Sequence, residues 1–163
     1  MTALEVIKTR RSVRAYDHKP ISREVLIDIV DCARLAPTAM NEQPWEFVVI
    51  TDPQTRRDLA ALITHAPFIA EAPACIAVLS RVTPFYVEDC SAATQNILLA
   101  AKAHGLGSCW ISGDKQPYAE RVRELLGAKP GMRFFSLVTL GHATERPVKE
   151  KRKLESVLHW ERM

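Results

Sequence analysis

The sequence predicts one α+β or α/β domain of about four strands. Three observations lead there. Apolar residues at helical spacing alternate along the chain with short apolar runs bounded by turn residues. The run Ala74 to Leu79 is nearly all apolar, as a strand covered on both faces must be, and Phe134 to Leu140 reads the same way. Finally, 163 residues with 47% hydrophobic and 25% charged content suit a single soluble domain, and no repeat or linker divides residues 1–163.

In chain order, Met1 to Lys8 reads as a short helix and Asp17 to Ile21 as a loop. Ser22 is a good N-cap, Glu24 favours a first turn, and Val25, Leu26, Ile29, Val30 and Ala33 form an apolar stripe. That helix ends near Ala36, because Pro37 disfavours helical geometry in its predecessor. A strand is expected over Phe47 to Ile50, a helix over Gln54 to Ile63, and a Pro-containing linker from Thr64 to Pro73. After Ala74 to Leu79 come a loop, Arg81 to Tyr86, and the longest helix, Val87 to His104. Its alanines make it apolar on most faces, so it must be buried, and they let another helix pack closely. Gly105 is the helix stop, with Leu106 as the hydrophobic contact beyond it. Gly107 to Ile111 is a short strand ending at Ser112-Gly113, and Tyr118 to Leu126 is a helix ended by Gly127. The tail from Gly141 is irregular, with five Lys/Arg against two Glu between Glu145 and Lys153, and a short helix over Leu154 to Trp160.

Bulk chemistry narrows the function. A net charge of +3 is too mild to argue for nucleic acid, though local basic clusters can hold a phosphorylated ligand. Cys32, Cys75, Cys90 and Cys109 form no C-x-x-C pair and fit reduced, mostly buried thiols in a cytoplasmic protein. Cys90, near a helix start, is either an activated thiol or a core thiol; no histidine is near it in sequence, and the core thiol is favoured. The five histidines lack ligand spacing, so no metal site is expected. No apolar stretch is long enough to span a bilayer.

Two segments carry candidate chemistry. Arg10 to Tyr16, Arg-Arg-Ser-Val-Arg-Ala-Tyr, puts three guanidinium groups and a hydroxyl within five residues. Arginine offers a planar fork of donors that suits a phosphate. Arg10 and Arg14 share a face if the segment is helical; Arg10, Ser12 and Arg14 share one if it is extended. The alternative is that these arginines cap a helix and solvate a surface. The second segment, Pro37 to Trp45, combines small residues, which let a backbone approach a ligand, with the amides of Asn41 and Gln43. It is otherwise a plain helix-to-strand loop anchored by Trp45.

Together these pieces resemble the flavin-dependent nitroreductase family over almost the whole chain. The resemblance rests on Arg10 to Tyr16, on Ala36-Pro37-Thr38-Ala39-Met40-Asn41-Glu42-Gln43-Pro44-Trp45, on Ala92 to Ala101 with Gly105-Leu106-Gly107 after it, and on Leu140-Gly141 with its basic tail. It implies an FMN-binding α+β fold, a central mostly antiparallel mixed sheet flanked by helices, in an intertwined homodimer with flavin at the interface. Arg10, Arg11, Ser12 and Arg14 match the family's N-terminal flavin motif, with Arg10 and Ser12 on the phosphate and Arg14 near the pyrimidine edge. Pro37, Thr38, Ala39 and Asn41 match a loop that the other subunit contributes, with Gln43 and Trp45 supporting it. Ile111, Ser112 and Gly113 match the stretch whose backbone meets the ring near N5. Lys149, with Lys151 or Arg152, matches a C-terminal basic pair on the phosphate. The Val87 to His104 helix is then the central dimer helix.

What the resemblance implies for function is a two-step oxidoreductase. NADH or NADPH reduces the flavin and leaves, and an acceptor such as a nitroaromatic or quinone takes its place. No catalytic side chain is required. The chain lacks the extra helices that longer members place over the flavin, so it is similar to the family's small members and its pocket is expected to be open or closed by the tail. A flavin-binding or sensing protein with little turnover, or another reaction type such as flavin reduction or dehalogenation, are the competing readings.

Overall fold

A computed structural model describes residues 1–163. Helix α1 (Ala3–Thr9) is opened by a reciprocal cap in which Thr2 and Glu5 satisfy each other's backbone amides. Helix α2 (Arg23–Arg34) is capped by Ser22 as expected and stops two residues earlier than the Pro37 argument placed it. Three further helices follow: α3 (Pro53–Leu62), α4 (Tyr86–Ala103) and α5 (Ala119–Leu125). Gly105 (φ +76°) ends α4, with the Leu106 N–H donating to the Ala101 carbonyl at 2.8 Å.

The sheet has five strands, one more than expected: β1 (Tyr16–Asp17), β2 (Trp45–Ile50), β3 (Ala74–Arg81), β4 (Gly107–Ser112) and β5 (Met132–Ala143). Every strand pair is antiparallel, and a single parallel bridge joins Ser12 to Ser108. β5 is the central strand, with β3 and then β2 on one side and β4 on the other, while β1 pairs with its last residues. The additional strand is too short to show a period: it forms only because Tyr16, buried among core residues, lies opposite Ala143.

Two cores flank the sheet. α2 and α4 cover one face with Leu26, Ile29, Ile97 and Ala101 against Ile76, Val78 and Val138. α3, α5 and the Thr64 to Pro73 segment cover the other, so that segment is core rather than a free linker: Ala66, Ile69 and Ala72 are buried, and a 3-10 turn forms at Pro67–Ile69. The helix expected over Leu154 to Trp160 is reduced to a 3-10 turn, Leu154–Ser156, on an exposed tail. Its apolar side chains find no partner within one chain, and a short helix without packing is marginal.

Candidate functional site

Arg10 leaves α1 in extended geometry (φ −60°, ψ 135°), which decides between the two arrangements open to the arginine segment. Val13 donates its N–H to the Ser108 carbonyl at 2.9 Å and is buried, so Ser12 and Arg14 turn the opposite way. Gly107 permits that approach: a Cβ there would lie 2.9 Å from the Val13 side chain. Arg11 takes the capping role, its Nη1 donating to the carbonyls of Lys8 (2.9 Å) and Arg10 (2.8 Å).

The irregular tail returns to this segment. Arg10, Arg11, Ser12 and Arg14 line a cavity of about 130 Å³ with Pro147, Lys149 and Lys151; five of those seven residues are cations and none is apolar except the proline ring. Arg152 does not line it, because its Nη2 donates to the Ser156 carbonyl at 2.7 Å. The cavity's chemistry is that of a phosphate cradle. Beside it, the Arg14 guanidinium stands 5.9 Å from the Phe68 ring centre.

The outer edge of β4 runs away from the cradle. Gly113 donates its N–H to the Phe135 carbonyl at 2.8 Å, which makes Gly113 and Phe135 a hydrogen-bonded pair. Antiparallel pairing alternates, so Ser112, opposite Ser136, turns its own N–H and C=O away from β5. The Ser112 carbonyl accepts from the Tyr118 hydroxyl at 2.5 Å; no corresponding partner faces its N–H. Tyr118 in turn packs against His65, ring centres 5.7 Å apart. Ile111 is buried in the core and its backbone faces Leu137, leaving Ser112 as the member of the Ile111-Ser112-Gly113 trio with a free amide. Four residues of strand, roughly 13 Å, separate Ser112 from Ser108 at the cradle end.

The Pro37 to Trp45 loop lines no part of the cradle. It is held by Asp89, a buried carboxylate in the first turn of α4 that sequence patterning did not single out. Asp89 accepts from the Thr38 hydroxyl at 2.9 Å and the Ala39 N–H at 3.0 Å. The Thr38 oxygen accepts the Gln43 N–H at 3.1 Å, and Gln43 Nε2 donates to the Asn41 carbonyl at 3.2 Å. Met40, Asn41 and Gln43 all adopt positive φ (51°, 57° and 48°), a strained turn that these bonds sustain. The sequence offers Asp89 only as one of two acidic residues, beside Glu88, at the start of a mostly apolar helix. Cys90 is a core thiol: it is fully buried, and burial pushes it up to about 11.

A model described as the nitroreductase family matches residues 7–83 and 64–142. The chain belongs to the nitroreductase family. A relative from Archaeoglobus fulgidus, provisionally named NADH dehydrogenase/NAD(P)H nitroreductase, is 42% identical over 148 residues, covering 85% of this chain and 84% of its own. Among solved structures, an FMN-dependent nitroreductase from Clostridium difficile R20291 superposes with a TM-score of 0.92 at 26% identity, over 98% of this chain and 99% of that one. The NADPH:FMN oxidoreductase from Vibrio harveyi, complexed with NAD+, gives a TM-score of 0.88 at 25% identity over 99% of this chain and 77% of that one. The two coverages place this nitroreductase-family chain beside a short relative and against a longer one, as its missing helices implied. Mostly antiparallel pairing between two helical layers is the architecture they share.

Proposed function

We propose that this protein is an FMN-dependent NAD(P)H oxidoreductase that passes hydride from NADH or NADPH to nitroaromatic, quinone or related acceptors. One observation carries the reading. A cationic cradle and an outward-facing amide stand at the two ends of one strand edge, in a family whose compared members bear FMN and NAD(P)H in their names. That spacing suits a flavin mononucleotide laid along β4, phosphate at Arg10, Ser12, Lys149 and Lys151, and ring centre at Ser112.

Bound FMN supplies the two-electron redox chemistry that no side chain provides. The protein's own residues orient and tune it. Arg10, with its planar fork, would hold the phosphate together with the Ser12 hydroxyl and the point charges of Lys149 and Lys151. Arg14, over Phe68, offers positive charge at the pyrimidine edge, where reduction places negative charge. The Ser112 N–H, held by the Tyr118 clamp on its own carbonyl, would be the backbone donor to the ring. Donor and acceptor occupy the same open face in turn, and solvent supplies protons, so no dedicated acid or base is assigned.

The working unit in this reading is an intertwined homodimer. The Pro37 to Asn41 loop is tied to Asp89 yet lines no part of its own chain's cradle, which suits donation to a partner's flavin. Ala92, Gln95, Leu99 and Ala103, at helical spacing, remain unburied on α4 within one chain, and Leu158 and Trp160 of the tail lie exposed. A cytoplasmic location fits the four free thiols; no helix is long and apolar enough to cross a membrane.

The visible spectrum of the purified protein, followed by anaerobic NADH and then NADPH, tests the reading. A flavin spectrum that bleaches promptly is expected. A protein that takes up no FMN sinks the cofactor assignment, and bound flavin that does not bleach moves the reading to a binding or sensing role.

A further inference from the structure

The tail that completes the cradle is almost untethered. β5 ends at Ala143, and Thr144 still donates its N–H to the Ala15 carbonyl at 3.1 Å. Glu145 comes next, its Oε1 accepting from the N–H groups of Arg14 (2.5 Å) and Ala15 (3.2 Å). Beyond Glu145 no hydrogen bond returns to the body of the protein: those of Arg152, Ser156, Val157, Leu158 and Arg162 close within the tail. No ion pair ties it down either. Lys149 and Lys151 lie four and six residues past that last contact, where an extended chain can carry them roughly 14 and 21 Å away. Both nevertheless line the cradle, with Pro147 restricting the path between.

A carboxylate beside an anion site opposes the anion by simple Coulomb repulsion. Here Glu145 sits next to Arg14 and lines the wider groove that adjoins the cradle through Arg10, Arg11 and Pro147. Its oxygen engages two main-chain amides of the segment that carries the arginines, and the far side of that segment is pinned by the Val13–Ser108 bond. The arrangement fits a latch and not a ligand contact. Charge-assisted bonds to backbone N–H groups are short and strong.

We infer that Glu145 is a positioning residue for cofactor capture: it ties the tail to the arginine segment so that Lys149 and Lys151 close over the phosphate of FMN. The inference rests on the FMN reading above. Glu145 touches no part of the cofactor; it acts by reducing the freedom that the two lysines lose when the phosphate binds. Two opposing effects therefore have opposite signs. Removal of the charge alone tightens FMN binding, and removal of the latch weakens it.

The test is the affinity of FMN and of riboflavin, which lacks the phosphate, for wild type, E145A and E145Q, read by flavin fluorescence. Loss of hydrogen bonds to a charged group predicts FMN binding weaker by about ten- to a hundredfold in E145A. Riboflavin affinity stays unchanged, because the cradle does not hold it. E145Q, whose amide oxygen still accepts both bonds, recovers most of the loss. Hydrogen exchange of the Arg14 and Ala15 amides, measured without flavin, accelerates in E145A. An E145A protein that binds FMN as tightly as wild type or more so overturns the latch, as does equal loss of FMN and riboflavin. Should E145A fail to fold, E145D decides, since it keeps the charge but shortens the reach to the two amides by one methylene: weaker FMN binding with riboflavin unchanged supports the latch, and FMN binding as tight as wild type overturns it. Wild type that takes up no FMN overturns the FMN reading itself, whereas FMN-binding wild type beside an unaffected variant overturns the latch alone.

Discussion

The Thr38 hydroxyl donates to the buried Asp89 carboxylate at 2.9 Å, joining a strained loop to the first turn of α4 across 51 positions of sequence. The helix N-terminus favours the negative charge there, and Ala39 adds a second donor at 3.0 Å. Asp89→Ala leaves both donors unpaired, and a destabilisation of about 2–4 kcal/mol is expected. Thr38→Ala removes one bond and frees the Gln43 N–H. Because both changes act on one network, their effects in urea unfolding fall short of additive. Full additivity contradicts the network.

Lys149 lines the cradle and Arg152 does not, despite three residues of separation in a mostly basic stretch. Lys149→Ala is expected to weaken FMN binding by roughly tenfold or more, with a reduced dependence on salt. Arg152→Ala leaves FMN affinity within about twofold. Fluorescence titration at two ionic strengths separates the two.

The outward N–H of Ser112 lies on an edge strand, where proline is tolerated if its missing donor faces away from the ladder. Ser112→Pro therefore keeps FMN bound while removing one donor to the ring. Flavin reduction by NADH in a stopped-flow instrument is expected to slow by about ten- to a hundredfold. Retention of the wild-type rate excludes the Ser112 amide from the ring contact.

Gly113 has no room for a side chain: a Cβ would meet the Phe134 ring at 2.6 Å and the Phe135 carbonyl at 2.8 Å. Gly113→Ala must displace backbone at the end of β4, at a cost of about 1–3 kcal/mol. Thermal unfolding reads that cost. Gly127→Ala supplies the contrast: a Cβ there meets nothing, and its cost comes from the left-handed backbone (φ +64°) alone.

Buried acids set the alkaline limit. Burial pushes Cys75 up to about 12 and Cys90 up to about 11, from an ordinary value of 9.0, and pushes the Tyr16 hydroxyl upward as well. These groups ionise in the unfolded chain before they ionise in the native one. Their contribution is fully present below about pH 9 and is lost as pH rises towards 11–12. Between those limits each of the two thiols lowers stability by roughly 1.4 kcal/mol per pH unit, and Tyr16, whose ordinary value is 10.0, adds to the decline only above about pH 10. Urea midpoints at pH 8 and pH 10.5 test this, and Cys75→Ala flattens the decline. At neutral pH the half-buried Cys32 is the first thiol to react with a disulfide reagent, and all four react only after unfolding.

Much of the fold was legible locally. Ser22, Gly105 and Gly127 mark helix ends through cap geometry confined to a few residues, and β3 and β5 announced themselves as apolar runs. β1 was not legible, since two residues carry no period and its partner lies at Ala143. The Leu154 to Trp160 pattern looked helical but has nothing to pack against within one chain. Arg11 illustrates the same limit within a motif: the resemblance counted it among the flavin contacts, and only the structure shows its guanidinium donating to carbonyls at the end of α1 while the residue also lines the cradle.

The sequence by itself determined the order and kind of the elements, the arginine segment, the tight loop before β2 and the family to which they belong. Those features depend on propensity, periodicity and turn chemistry, which act over a few neighbouring residues. Only the tertiary structure decided that Arg10 meets Lys149 and Lys151 but not Arg152, that Asp89 anchors the loop, and that Glu145 holds the tail. It also decided, through the register of β4 on β5, that Ser112 presents its amide outward while Ile111 and Gly113 face the ladder. Register and convergence arise where distant segments are packed against one sheet, and a shift of one residue would reverse every one of those directions.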